Sequence, residues 1–186
     1  RALAVTTMKR MSSFPELPTI DEAGVKGYEV VLWYGVLGPK ALPKHIVERW
    51  NSGIRKATKL PDTRERLLSE GFEIDDSPPS VFQALLKRDV AKWQKVVKDA
   101  KANSAWFVIN PNLYRKLSYD AIADFAPVTL GVVYGYVLVV HPSIAANNVQ
   151  ELIALAKAKP GQLTFGSTGL GAVNHLAGEM IDGAEP

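Results

Sequence analysis

Gly161-Gln162-Leu163-Thr164-Phe165-Gly166-Ser167-Thr168-Gly169-Leu170-Gly171-Ala172-Val173-Asn174-His175-Leu176-Ala177-Gly178-Glu179-Met180 is the stretch whose reading decides the fold. Leu163 to Phe165 reads as a short strand with apolar ends. A run of small and hydroxyl residues follows, and Val173, Leu176, Ala177 and Met180 then recur at helical spacing. Strand, small-residue loop and helix in that order aim free backbone N–H groups and the positive end of a helix dipole at an anion. The same pattern also describes an ordinary strand-to-helix turn of an α/β domain.

Upstream of this stretch, Asn147 or Asn148 caps a helix whose Val149, Leu152, Ile153 and Ala156 face inward, and Pro160-Gly161 ends it. Val132 to His141 is the strongest strand of the second half, after an irregular connector from Tyr119 to Pro127. Before that, Trp106 to Ile109 is apolar and Leu113 to Leu117 forms a helical turn. The first half opens with a short buried strand, Ala2 to Thr6. Tyr28 to Leu37 is strongly β, and Gly35 inside it marks a bulge or the close approach of another group. Pro43 opens a helix to about Lys59 with Ile46, Val47, Trp50 and Ile54 on its inner face, and Pro61 opens a shorter one ended by Gly71. Phe72 to Ile74 is a strand. A long helix follows from Ser77-Pro78-Pro79-Ser80 to about Ala102, with Val81, Leu85, Val90, Trp93 and Val97 as its apolar stripe and lysines as a solvated face. Strands alternating with helices in both halves predict an α/β architecture with largely parallel sheets.

Composition narrows the class. A hydrophobic content of 47% against 22% charged residues is that of a globular chain, and 186 residues suffice for one domain or two small lobes. A net charge of +3 with interspersed signs gives no footprint for nucleic acid. The absence of cysteine excludes thiolate metal sites, thiol catalysis and disulfides. No apolar run reaches the roughly 20 residues of a membrane helix. The chain opens on Arg1 within an apolar run, without Met, as a mature or partial polypeptide does.

The candidate chemistry is that of binding. His45, His141 and His175 stand far apart and form no ligand pair, so no metal is expected. Ser167 follows Gly166 directly, so the nucleophile elbow G-x-S-x-G is not matched. Gly169-x-Gly171-x-x-Asn174 stops one glycine short of the dinucleotide fingerprint, and no lysine follows the glycines as a phosphate loop requires. What remains is a cluster of N–H groups with the hydroxyls of Ser167 and Thr168 and no neighbouring cation, which suits a carboxylate held by neutral hydrogen bonds.

Longer motifs carry a family resemblance. Trp106-Phe107-Val108-Ile109-Asn110-Pro111-Asn112-Leu113-Tyr114, Leu117-Ser118-Tyr119-Asp120, Asp124-Phe125-Ala126-Pro127-Val128-Thr129-Leu130, Val137-Leu138-Val139-Val140-His141-Pro142-Ser143 and Phe165-Gly166-Ser167-Thr168-Gly169 run collinearly. They resemble the substrate-binding proteins of tripartite tricarboxylate transporters, often called Bug receptors. In the other half, Pro18-Thr19-Ile20-Asp21-Glu22-Ala23-Gly24, Trp33-Tyr34-Gly35-Val36-Leu37-Gly38-Pro39 and Lys92 to Ala100 are similar to the same family. The order differs from the family's: residues 1–103 resemble its C-terminal portion and residues 104–186 its N-terminal-to-middle portion. The family's first strand with its ligand-holding loop and a mid-chain segment have no counterpart, so a permuted, truncated chain is expected.

The resemblance implies a two-lobe architecture like type II periplasmic binding proteins, here incomplete. It implies a periplasmic, non-enzymatic, monomeric receptor that uses no cofactor and hands a small carboxylate to membrane transporter subunits. By matched motif, Ser167, Thr168, Gly169, Gly171, Ala172, Asn174 and His175 form one carboxylate cradle, and Ser104, Ala105, Trp106 and Phe107 form the facing loop. Trp106 and Phe107 are bulkier than the family's usual residues there, which fits either an apolar or aromatic acid or a core role. Ala172 and Val173 stand where the family more often has hydroxyl residues. Trp33 and Tyr34 either line the cleft or serve the core. Two other readings stand beside the receptor: a nucleotide-dependent α/β enzyme using the Gly169/Gly171 turn, and a ligand sensor for a signalling partner.

Overall fold

The computed structural model describes residues 1–100, 119, 120, 122–169 and 172–183. In chain order these form β1 (Ala2–Val5), β2 (Val31–Pro39), α1 (Lys44–Thr58), α2 (Pro61–Ser69), β3 (Glu73–Ile74), α3 (Pro79–Ala100), β4 (Phe125–Gly135), β5 (Val137–Val139), α4 (Val149–Ala158) and α5 (Val173–Asp182). The expected segments Trp106 to Ile109 and Leu113 to Leu117, and the expected helix end at Ala102, lie outside the described residues. Two compact units result: Arg1–Leu32 with Tyr134–Pro186, and Trp33–Val133.

The first unit is built on β1. Leu3, Ala4, Val5 and Thr6 are all buried, which an apolar run achieves only when both faces of the strand are covered. β1 pairs antiparallel with β5, Ala4 opposite Leu138 and Val5 opposite Val137, while Val5 also makes a parallel bridge to Thr19. Thr6 then fastens two more segments. Its N–H donates to Tyr136 O at 2.9 Å, its Oγ1 accepts from Tyr136 N at 2.7 Å and donates to Val30 O at 2.6 Å, and Val30 N donates to Thr6 O at 2.9 Å. The expected continuous strand from Val132 to His141 is therefore replaced by two, β4 and β5, interrupted at Tyr136, whose backbone groups turn to Thr6. α4 and α5 complete the unit, burying Val149 on one and Val173, Leu176 and Ala177 on the other. Tyr28 Oη donates to Ala177 O at 2.9 Å, and burial pushes this phenol above its ordinary pKa.

The second unit holds a three-stranded sheet in the order β2-β4-β3, and β3 pairs antiparallel with β4, Glu73 opposite Val133 and Ile74 opposite Val132. β4 is central, and Val128, Thr129 and Leu130 are buried in succession. It begins at Phe125, inside the segment expected to be an irregular connector. β2 is an edge strand in which Tyr34, Gly35 and Val36 are exposed. The expectation of largely parallel sheets is corrected, since both ladders with a defined register, β1 with β5 and β3 with β4, are antiparallel.

Both long helices keep part of the expected inner face, Ile46, Val47 and Ile54 of α1 being half-buried, and depart from it at particular residues. On α1 the buried residues are Asn51 and Thr58, whereas Trp50 is 58% exposed. Asn51 is drawn in because its Nδ2 donates to Val128 O at 3.0 Å and Ser77 O at 3.4 Å. On α3 the buried residues are Phe82, Leu86, Asp89 and Trp93; of the expected stripe Trp93 is inside, Leu85 and Val90 are half-buried and Val81 is exposed. Phe82 is drawn in at Gly35, where a side chain would collide with its ring, so the glycine admits the close approach that a glycine within a strand signals. Trp33 packs edge-on against Phe82, with ring centroids 5.2 Å apart, and its Nε1 donates to Asp89 Oδ2 at 2.9 Å. A buried acid with that donor is stable where a pattern of hydrophobicity alone would place none.

Candidate functional site

The site lies in the first unit, at the start of α5. The expected strand Leu163 to Phe165 is not formed. Among the described residues no strand pairs with it, and Thr164 and Phe165 are exposed. The loop after it is as small and polar as expected, and its hydroxyls act locally. Ser167 Oγ donates to Gly169 O at 3.5 Å and accepts from Gly169 N at 3.3 Å, a tight turn in which Gly169 has φ +133°, a backbone state that favours glycine. Thr168 Oγ1 donates to Asn174 Oδ1 at 3.1 Å, and Thr168 N points to the same oxygen at 3.5 Å.

α5 begins without a side-chain cap. Ala172 is the N-cap, in extended conformation, its N–H donating to Gly169 O at 3.1 Å. The first N–H bonded within the helix is that of Leu176, to Ala172 O at 2.9 Å. The helix therefore presents first-turn N–H groups beside the Ser167–Gly169 turn, as the sequence implies.

A cavity of about 350 Å³ opens there, lined by Leu163, Thr164, Phe165, Ser167, His175 and Glu179. The His175 ring stacks on Phe165, centroids 5.6 Å apart and planes 27° from parallel. Its Nε2 lies 3.9 Å from Glu179 Oε1. Phe165 also rests on Gly178, where an added methyl would meet the ring. Among the described residues no lysine or arginine lines the cavity.

Of the expected cradle, Ser167, Thr168, Gly169, Ala172, Asn174 and His175 come together in this loop and helix start, while Gly171 lies outside the described residues. The facing loop Ser104, Ala105, Trp106 and Phe107 also lies outside them. Sequence reasoning missed Phe165, Leu163, Thr164 and Glu179. Glu179 was legible, being four residues after His175 and so on the same helix face. Phe165 was read as a strand residue, and only Gly178, three residues after His175, hinted at a ring laid across the helix.

The other singled-out groups have local roles. His141 Nδ1 meets Ser143 Oγ at 2.7 Å on the surface, and His45 is exposed. Trp33 is engaged with Phe82 and Asp89, and Tyr34 is 58% exposed beside Phe72. Among the described residues no group of three His, Asp or Glu side chains is placed to hold a metal ion, and no helix is long and apolar enough to cross a membrane.

The described residues thus form two mixed α/β units, one of which sets a small cavity beside the uncapped start of α5. The chain belongs to the tripartite tricarboxylate transporter family receptors, whose sequence pattern matches residues 1–103 and again residues 100–185. That family has a fold of the periplasmic-binding-protein type, and its members are binding receptors. Relatives include a Pseudomonas sp. protein named for the tcbD-tcbE intergenic region, 41% identical over 105 residues, 56% of this chain and 31% of that one. An Agrobacterium vitis protein named for the TAR-I ttuE-ttuC' intergenic region is 33% identical over 53% of this chain and 30% of its own length. Protein BugT of Bordetella pertussis is 26% identical over 55% of this chain and 31% of its own length. Each alignment thus spans about a third of the relative. No solved structure matches the chain with significance.

Proposed function

We propose that this chain is part of an extracytoplasmic solute-binding receptor that captures a small carboxylate for a tripartite tricarboxylate-type transporter. The observation that carries the reading is the Ser167–Gly169 turn set against the uncapped start of α5, in a chain whose whole length matches a receptor family. The carboxylate accepts hydrogen bonds from first-turn N–H groups, and the cavity beside them receives the rest of the molecule. Ser104, Ala105, Trp106 and Phe107 form the facing binding loop in this reading. The receptor works as a periplasmic monomer, binds without turnover and passes its ligand to the membrane subunits. In this reading residues 1–103 correspond to the family's C-terminal portion and residues 104–186 to its N-terminal-to-middle portion; that two separate matches overlap at residues 100–103 supports a boundary there.

Isothermal titration of the purified chain with acetate, benzoate, phthalate and citrate tests the reading. Saturable binding of at least one acid, with no chemical change in the ligand recovered afterwards, is the expected result. Heat from none of them, or saturable binding of a nicotinamide dinucleotide instead, overturns it.

A further inference from the structure

The cavity at α5 carries a carboxylate of its own and an exposed aromatic surface, and both bear on which acid it takes. Resting on the carboxylate reading above, we propose that the site selects monocarboxylates with a flat apolar body and that Glu179 excludes a second carboxylate. Phe165 supplies the platform. Its ring is braced by His175 at 27° and by the bare backbone of Gly178, yet the residue stays 50% exposed and lines the cavity. A braced, half-exposed ring gains by burial under another flat apolar group, and stacked rings add to that gain. Leu163 extends the apolar wall, and the volume of about 350 Å³ is at the small end of ligand pockets, the scale of a single-ring acid.

Glu179 sets the limit on charge. It lines the cavity one helical turn beyond His175, with its side chain 35% exposed. At 3.9 Å from His175 Nε2 it makes no hydrogen bond with the ring, and among the described residues no lysine or arginine lines the cavity to neutralise it. A ligand whose first carboxylate lies at the Ser167–Gly169 turn holds any second one within the same small cavity that Glu179 lines. Like charges within a few ångströms, partly shielded from water, repel strongly enough to decide affinity. Hydrogen-bond donors on the ligand are tolerated at that end; anions are not.

Calorimetric titration of the chain and of Glu179→Gln and Phe165→Ala variants with benzoate, phthalate and citrate tests this. Benzoate is expected to bind at least about tenfold more tightly than phthalate or citrate, a gap that like-charge repulsion readily produces. Glu179→Gln narrows the gap by improving phthalate, and Phe165→Ala weakens benzoate without improving citrate. Citrate or phthalate binding as well as benzoate, or an unchanged gap in Glu179→Gln, overturns the inference and leaves the receptor reading standing. No binding of any acid overturns both.

Discussion

Asn148 and Glu151 close the start of α4 on one another. Asn148 Oδ1 accepts from Glu151 N at 2.9 Å, while the Glu151 carboxylate accepts from Asn147 N at 2.7 Å and Asn148 Nδ2 at 2.8 Å. Removing the cap by Asn148→Ala is expected to cost about 1 kcal/mol of stability in denaturant melts. The same contacts, the Asn147 N–H foremost, hold the Glu151 carboxyl below its ordinary pKa. Its contribution is therefore in place above the ordinary carboxylate range and is lost as pH falls through the depressed native value. The Tm difference between the native chain and Glu151→Gln is expected to shrink between about pH 5 and pH 2, where carboxylates take up protons; a constant difference refutes this.

Gly178 decides a second residue-scale question. A methyl at this position meets the Phe165 ring, which is exposed enough to swing away. Gly178→Ala should thus leave stability unchanged or raise it by up to about 1 kcal/mol through helix propensity. It should also remove the stacking of Phe165 on His175, seen as a loss of the ring-current shift on the His175 ring protons by NMR.

At the scale of elements, α1 shows how a helix chooses its buried face. Periodicity placed Trp50 inside with Ile46, Val47 and Ile54, but the structure buries Asn51 and leaves Trp50 58% exposed. Helical period fixes which residues share a face; which of two adjacent faces is covered depends on what lies opposite. Here the backbone of Val128 needs a donor, and Asn51 supplies it. Trp50→Ser is expected to change stability by no more than about 0.5 kcal/mol, as at exposed sites away from special features. Asn51→Ala, which strands a buried carbonyl, is expected to cost about 1–3 kcal/mol. Urea titration of both variants reads the contrast, and a larger loss from Trp50→Ser reverses it. α3 teaches the same lesson through Gly35, whose missing side chain makes room for Phe82, while Trp93 stays inside as its spacing predicts.

For the molecule as a whole, Thr6 is the smallest group with the widest reach. Its hydroxyl and backbone join β1 to Val30 and to Tyr136, segments far apart in the chain but within one compact unit. Thr6→Val keeps the shape and the backbone bonds but leaves Tyr136 N and Val30 O without their side-chain partner. A loss of about 1–3 kcal/mol is expected by thermal or urea unfolding, the cost of unsatisfied buried polar groups. An unchanged midpoint would show that water replaces the hydroxyl.

The sequence by itself determined the α/β class, both proline-opened helices, the capped start of α4, the apolar side of α5 and the small-residue turn at Ser167–Gly169. These rest on local physics: fixed φ at proline, side-chain caps, the 3.6-residue period and the freedom of glycine. Its motifs also carried the family. Tertiary structure alone decided that Leu163 to Phe165 forms no strand with any of the described residues, because a strand exists only with a partner to receive its hydrogen bonds. It alone decided that β4 and β5 part at Tyr136 and that the registered ladders run antiparallel, since pairing is settled between segments distant in the chain. And it laid Phe165 across Gly178 and His175 and set Glu179 beside them, giving the small-residue turn a neighbouring cavity lined by an aromatic ring and a carboxylate.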